Sequence, residues 1–230
     1  NKASPLGISN APSVIDLQIN SGEILALMGR NGAGKSSLIK ALLGVVNYQG
    51  KVSKEIKKIG YIPQDANDLL YHQSVAAECD QTDKDNSLTN GSTFALLNKL
   101  APTINTSAHP RDLSEGQRLA LVLAIVLAPM PELLILDEPT RGLDYESKSL
   151  LTKLLKEQAT IGTSVIIATH DVELIAELAT RIAILAEGEL VADGNALDVL
   201  LASPSFAPQV TKVMAPRKWI TIQDVLEAQS

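Results

Sequence analysis

The fold of this 230-residue chain is decided by one stretch, Gly29-Arg30-Asn31-Gly32-Ala33-Gly34-Lys35-Ser36. It fits the pattern G-x-x-x-x-G-K-[ST], which is typical of a loop that wraps phosphate groups. An apolar run over residues 24–28 precedes the loop, and a stripe of apolar residues follows it over 34–43. These runs predict a buried strand before the loop and a helix after it, the context that the pattern requires. The stretch therefore predicts a nucleotide-binding site.

Each residue type in the loop suits the binding of phosphates. Glycines let backbone N–H groups turn toward the phosphate, and the N-terminus of the following helix adds its dipole. Lys35 would place a positive charge at the β- and γ-phosphates, and the hydroxyl of Ser36 would be a ligand of Mg²⁺. The predicted binding residues are Gly29, Asn31, Gly32, Ala33, Gly34, Lys35, Ser36 and Ser37.

A second acidic site follows about a hundred residues later, where an apolar run over 133–136 ends in Asp137 and Glu138. A carboxylate at the carboxyl end of a parallel strand can hold Mg²⁺ through water, which we expect of Asp137. Glu138, beside it, could polarise an attacking water as a general base. Taken alone, the pair could equally be two solvated carboxylates at a strand end; the phosphate loop favours the catalytic interpretation.

Strand and helix patterns alternate along most of the chain. Strands are predicted near residues 50–53, 58–62, 133–136, 165–168 and 182–185, and helices over 114–127, 144–160, 172–179 and 195–202. This alternation predicts an α/β fold with a mostly parallel sheet and helices on its faces.

We expect a single domain over residues 1–230 with two distinctive parts. Residues from about 65 to 128 include a polar, helix-forming region and are interpreted as an inserted helical subdomain. Residues 82–93 are almost free of apolar side chains, which predicts a mobile loop in the middle of that subdomain. Residues 203–230 contain several prolines and are interpreted as a C-terminal tail.

Composition excludes several classes of protein. The 26 acidic and 20 basic residues leave a net charge of −6, which disfavours sequence-independent binding of nucleic acid. The single cysteine, Cys79, excludes an internal disulfide and fits a reducing compartment.

The longest nearly unbroken apolar run, over 119–130, is too short to span a bilayer, and we see no secretory signal pattern. We expect a cytoplasmic protein without a membrane span. Because the chain begins at Asn1, we interpret it as processed or as a piece of a longer one.

Four further motifs occur in a fixed order along the chain. They are Tyr61-Ile62-Pro63-Gln64-Asp65, Leu113-Ser114-Glu115-Gly116-Gln117, Gly142-Leu143-Asp144 and Thr169-His170-Asp171. With the phosphate loop and the acidic pair, they make the chain resemble the ATP-binding-cassette (ABC) family of transport ATPases over about residues 13–202.

The resemblance implies a P-loop fold with a mostly parallel central sheet, an antiparallel β subdomain and an inserted helical subdomain. It implies binding of ATP and Mg²⁺ and hydrolysis of ATP to ADP and phosphate. Two such domains would pair head to tail, so that Ser114 and Gly116 of one meet the γ-phosphate held by the other. The implied partners are a second ABC ATPase domain, as a homodimer or a tandem half, and a transmembrane subunit on the inner face of the cell membrane.

The resemblance also implies roles for three polar residues. Gln64 would sense Mg²⁺ and the attacking water, and His170 would hold the γ-phosphate and Glu138 in place. Asp144 would couple the two sites of the pair. Without the family, Gln64 and Asp144 would be interpreted as turn or helix-cap residues.

The chain departs from the family pattern at two places. Glu115 puts a carboxylate close to where a partner's phosphates would lie; it could point to solvent or weaken one of the two sites. The aromatic residue that covers adenine in the family falls near Leu6 here, and no aromatic occurs before Tyr48. Adenine would then have only aliphatic cover, or the relevant segment is missing; residues 1–12 also leave little room for the first strand of the usual fold.

The stretches 68–75 and 205–210 resemble energy-coupling-factor (ECF) type ATPases, which import vitamins or transition metals, in some cases as tandem ATPases. The chain would then be the second half of a tandem.

Two other functions are alternatives to a transport ATPase. A soluble cassette for translation or DNA repair would need a paired-cassette linker or a long coiled-coil insert, and neither is present. A non-catalytic regulatory cassette is favoured by Glu115 and the missing aromatic, and disfavoured by Glu138 and His170.

Overall fold

A six-stranded sheet forms the centre of the computed structural model, which describes residues 15–49, 56–203, 206–215 and 217–228. The strands are β1 (Ile24–Met28), β2 (Ile59–Ile62), β3 (Leu133–Asp137), β4 (Ser164–Ala168), β5 (Arg181–Ala186) and β6 (Glu189–Asn195). Their order is β2-β3-β4-β1-β5-β6. Neighbours are parallel except β5 and β6, which form an antiparallel pair at one edge. The predicted α/β fold with a mostly parallel sheet is confirmed, and the strand expected near 50–53 lies outside the described residues.

Helices lie against both faces of the sheet. They are α1 (Lys35–Leu42), α2 (Val75–Asp85), α3 (Ser92–Leu100), α4 (Glu115–Leu127), α5 (Tyr145–Thr160), α6 (Val172–Leu178), α7 (Ala196–Ala202), α8 (Gln209–Met214) and α9 (Ile222–Glu227). Several begin at a side chain that accepts a hydrogen bond from the first helical turn, among them α5 at Asp144 and α6 at Asp171. The region interpreted as a C-terminal tail contains two short helices, α8 and α9. These helices are only six residues long, too short for a periodic pattern to reveal.

Helix α4 is apolar nearly all the way round, and it is buried on two sides. One side, including Leu123 and Leu127, packs against the sheet together with Leu151 and Leu155 of α5. Its opposite side contacts α2 and α3 in a second cluster. A helix without a polar face must be buried on all sides. Helix α4 therefore packs between the sheet on one side and helices α2 and α3 on the other.

The stretch 82–93, predicted to be a mobile loop, contains the end of α2 and the start of α3, with a short turn between them. Helix α2 continues to Asp85, and the turn that follows is tied down by Asp83. The Asp83 carboxylate, only 2% exposed, accepts hydrogen bonds from the Gly91 N–H (2.6 Å), the Thr93 N–H (3.0 Å) and the Thr93 hydroxyl (2.6 Å). Composition did not reveal these helical residues, because the polar side chains of the stretch make hydrogen bonds inside the protein instead of with water.

We expect Asp83→Ala to lower the free energy of unfolding by about 2–3 kcal/mol, because it leaves buried donors of Gly91 and Thr93 without an acceptor. Burial raises the pKa of Asp83, but the hydrogen bonds from Thr93 and Gly91 outweigh it and hold that pKa below its usual value. The contribution of Asp83 should therefore be full at neutral pH and decline as the pH falls below about 4. Urea unfolding at pH 7 and pH 3 measures both effects. The control is Asp80→Ala, at an exposed position of the same helix, and equal losses in the two variants would contradict the prediction.

Candidate nucleotide-binding site

The phosphate loop runs from the end of β1 to the start of α1 and closes around the side chain of Lys35. This lysine is 7% exposed, and its Nζ donates hydrogen bonds to the backbone carbonyls of Gly29 (2.7 Å) and Arg30 (3.3 Å). Gly34, at the N-terminus of α1, has a φ of 103°, which favours glycine. The loop thus holds an ammonium group beside a helix N-terminus, an arrangement suited to an anion.

Ser36 and Asp137 lie together although about a hundred residues separate them in sequence. The Ser36 hydroxyl donates to Oδ2 of Asp137 over 3.0 Å. Burial raises the pKa of Asp137 above its usual value; the hydrogen bond from Ser36 opposes that rise, and the charge of Glu138 adds to it. A hydroxyl and a carboxylate are the kind of oxygen ligands that Mg²⁺ takes together with phosphate oxygens and water, so the pair fits this metal.

Glu138 is held by two residues that follow β4. Its Oε2 accepts a hydrogen bond from the Thr169 hydroxyl (3.0 Å), and Nδ1 of His170 lies 2.9 Å from Oε2 and 3.0 Å from Oε1. The backbone of Glu138 is in the left-handed region, with a φ of 49°, and its N–H donates to the carbonyl of Ala168 over 2.7 Å. A glutamate in this conformation costs about 1–3 kcal/mol and is most often found at functional sites.

The sheet order explains why these residues meet. Strand β4 lies between β1 and β3, with Ala168 paired with Leu27 on one side and with Asp137 on the other. Parallel strands end at the same edge of the sheet, so the phosphate loop, Asp137 and His170 come together there.

Gln64 follows β2 and lines a cleft of about 790 Å³ that also contains Ser36, Asp137 and Glu138. Glu115, Arg118 and Arg141 are among the residues on its remaining walls. Gln64 and the acidic pair therefore line the same cleft. Its role toward metal and water stays a prediction.

Ser114 and Asp144 cap two neighbouring helices. Ser114 begins α4 in a reciprocal capping box with Gln117, and Asp144 begins α5 by accepting the N–H of Ser147 (2.8 Å). Gly116 packs so closely on the Ser147 hydroxyl that a Cβ at this position would overlap it. The hydrogen bonds from Ser147 lower the pKa of Asp144, which favours its charged form. Asp144 is thus a helix cap, as its residue type alone indicates, and its coupling role stays a prediction.

The carboxylate of Glu115 is neither isolated nor simply turned to solvent. Oε1 of Glu115 forms an ion pair with Nη1 of Arg118 (2.7 Å), although 58% of the Glu115 side chain is exposed. Arg118 also donates to the carbonyls of Leu113 (2.9 Å) and Arg111 (3.3 Å). The negative charge that departs from the family pattern is therefore balanced within its own helix turn.

Three residues of the site make contacts that the sequence did not predict, although one of them, Thr169, belongs to the motif over residues 169–171. The buried Thr169 precedes His170 and binds Glu138, Arg118 pairs with Glu115, and Lys148 pairs with Asp171 at 2.7 Å. Only the spacing of Glu115 and Arg118, three residues apart in a helix, could have been recognised beforehand.

Comparison with known proteins agrees with this geometry. Residues 13–141 match the family model described as ABC transporter. The chain is 51% identical over 227 residues to an ABC transporter ATP-binding protein of Streptomyces coelicolor and 52% identical over 227 residues to one of Streptomyces avermitilis. Each match covers 93% of this chain but only 40% of the relative's length. This chain therefore belongs to the ABC transporter family and spans about two fifths of these relatives.

A solved structure of a metal-chelate type ABC transporter in an inward-facing conformation has the same fold. It superposes with a TM-score of 0.71 at 25% identity, covering 84% of this chain and 80% of the other. Among the described residues, none of the helices combines the length and the apolar character needed to cross a bilayer.

Two glycines of the loop should respond very differently to a methyl group. Gly29 has a φ of 149°, and a Cβ there would overlap the Leu185 carbonyl oxygen; Gly32 has a φ of 82° with open space around it. We expect Gly29→Ala to destabilise the protein by about 3 kcal/mol, because the ends of β1 and β5 must separate. Gly32→Ala should cost about 1 kcal/mol from backbone strain alone. Chemical unfolding of the two variants measures the difference, and equal losses would show that crowding at Leu185 is unimportant.

Proposed function

We propose that the chain is the ATP-hydrolysing cassette of an ABC importer, in which ATP binding and hydrolysis close and open a pair of cassettes. The observation that carries the proposal is the position of Glu138. Thr169 and His170 fix its carboxylate beside Asp137, which in turn binds Ser36. A general base next to an oxygen-ligand pair and a phosphate loop is the arrangement that hydrolysis of a nucleoside triphosphate needs.

Each group has one task in this proposal. The ammonium of Lys35 and the loop N–H groups bind the phosphates, and Ser36, Asp137 and Gln64 hold Mg²⁺. When bound, Mg²⁺ neutralises the charge that develops on the phosphate oxygens. Glu138 takes a proton from the attacking water, and His170 orients both Glu138 and the γ-phosphate.

The second half of each site comes from a partner cassette. Ser114 and Gly116 lie at the N-terminus of α4, where backbone N–H groups and the helix dipole favour an anion held by a partner. Because the chain spans only 40% of its Streptomyces relatives, there is room in such a protein for a second cassette, which supports a tandem arrangement. A homodimer is the other arrangement consistent with the proposal.

A transmembrane subunit is the proposed mechanical partner, with the chain on the inner face of the membrane. The helical subdomain, at about residues 65–128, would receive it through residues 69–75, next to Gln64. Tyr71 in this stretch is 76% exposed, so its ring is accessible to such a partner. The metal-chelate type transporter among the structural neighbours supports an importer of the ECF or a related class, which takes up vitamins or transition metals.

Glu138→Gln should reduce ATP turnover at least about 100-fold while ATP binding is retained, because the amide keeps the shape of the side chain but cannot accept the water's proton. The measurements are steady-state phosphate release and equilibrium ATP binding by the full-length protein with its partner cassette. Glu177→Gln, at an exposed position of α6, is the control. Undiminished hydrolysis in the Glu138 variant would remove this residue from the mechanism.

A second candidate function, a regulatory cassette that binds ATP but hydrolyses it poorly, is favoured by Glu115. A carboxylate in the motif over residues 113–117 would repel a partner's γ-phosphate if its charge were unbalanced. Its pairing with Arg118 argues for the catalytic function instead, because the charge is compensated where the phosphate would approach.

Substitution of Glu115 separates the two functions. If Arg118 compensates the charge, Glu115→Gln should change ATP turnover by less than about threefold, since the amide oxygen can still accept a hydrogen bond from Arg118. Single-turnover hydrolysis with the partner cassette supplied is the measurement. A rise of tenfold or more would instead identify Glu115 as an inhibitory residue and support the regulatory cassette.

A further inference from the structure

Lys148 connects the helix that begins at Asp144 to the segment that carries His170. It lies in the first turns of α5, four residues after Asp144, and its Nζ is 2.7 Å from Oδ2 of Asp171. Both side chains are partly buried, with exposed fractions of 39% for Lys148 and 18% for Asp171. Such a pair is shielded from solvent on the Asp171 side, so it restrains geometry more than a fully exposed pair does.

Asp171 is the point at which several contacts of the switch segment, residues 169–171, converge. Its N–H donates to the Thr169 hydroxyl (3.1 Å), and its Oδ1 accepts the N–H of Leu174 (3.2 Å) at the start of α6. Burial alone would raise the pKa of Asp171, but the hydrogen bonds from Lys148 and Leu174 bring it below its usual value, which keeps the carboxylate charged.

The contacts continue from Asp171 to the catalytic carboxylate. The Thr169 hydroxyl that accepts the Asp171 N–H donates in turn to Glu138 (3.0 Å), and the ring of His170 lies beside the same carboxylate. The His170 side chain is 79% exposed, so little packing fixes the ring. Its position depends on the backbone of the switch segment, which the bond between Lys148 and Asp171 anchors to α5.

We propose that Lys148 is a positioning residue: it holds Asp171 so that Thr169 and His170 stay on Glu138, and it joins this arrangement to the helix capped by Asp144. The inference rests on the proposed function, since it assigns Lys148 a part in the same hydrolysis. When a partner cassette docks on Asp144, it would displace the N-terminus of α5. The ion pair between Lys148 and Asp171 would transmit this displacement to the switch segment.

The test compares Lys148→Met with Lys153→Met in the full-length protein assembled with its partner cassette. Lys153 lies on the same helix, is 77% exposed and forms only a long ion pair with Glu157 (4.0 Å), so it is a matched control. Lys148→Met should lower kcat about tenfold and leave the ATP dissociation constant within about twofold, because positioning of the base is impaired and the phosphate loop is untouched. Lys148→Arg, which can still bind the carboxylate, should restore most of the activity.

A double-mutant cycle shows whether Lys148 acts through Asp171. Lys148→Met should have almost no further effect on kcat in an Asp171→Asn background, since the contact that it removes is already weakened there. Additive losses, or a loss in Lys148→Met no larger than in Lys153→Met, would overturn the inference. If Glu138→Gln also left hydrolysis unchanged, the proposed function itself would fail; if Glu138→Gln abolished hydrolysis, only the inference on Lys148 would fall.

Discussion

The position of strand β4 between β1 and β3 is the constraint on which the site depends. Parallel pairing sends the carboxyl ends of these three strands to one edge of the sheet, and the phosphate loop, the acidic pair and the switch segment each follow one of them. The strands are buried along their whole length, so their register is fixed by packing on both faces. A rigid sheet thus positions groups that are about a hundred residues apart to within hydrogen-bond distance.

Hydrogen bonds beyond the acidic pair determine how Glu138 is presented. Its backbone adopts a left-handed conformation, and its carboxylate is fixed by Thr169 and His170. The cost of the backbone strain is offset by contacts from a neighbouring strand end, so the carboxylate has a defined direction even though the side chain of His170 is largely exposed. Hydrogen bonds of this kind hold the Glu138 carboxylate in the defined position that proton transfer requires.

Helix α4 connects the sheet to helices α2 and α3, because it belongs to two clusters of apolar residues. One side packs on the sheet and the other on α2 and α3, while its N-terminus carries Ser114 and Gly116. Helix α4 and the residues at its N-terminus thus lie between the sheet and the pair formed by α2 and α3. The turn after α2, ordered by Asp83, shows that these helices are held by polar contacts as well as by apolar packing.

The sequence alone determined the α/β fold and the positions of the phosphate loop and the acidic pair, because strand periodicity and the glycine-lysine-serine spacing are local properties of the chain. It could not show that Asp83 binds Gly91 and Thr93, since these hydrogen bonds depend on where the turn after α2 lies in space. It did not reveal α8 and α9, which are too short to leave a periodic signal. Only the tertiary structure decided that Lys148 of α5 reaches Asp171 at the start of α6. This pair depends on how the two helices pack, and no local spacing specifies a contact between residues of different helices.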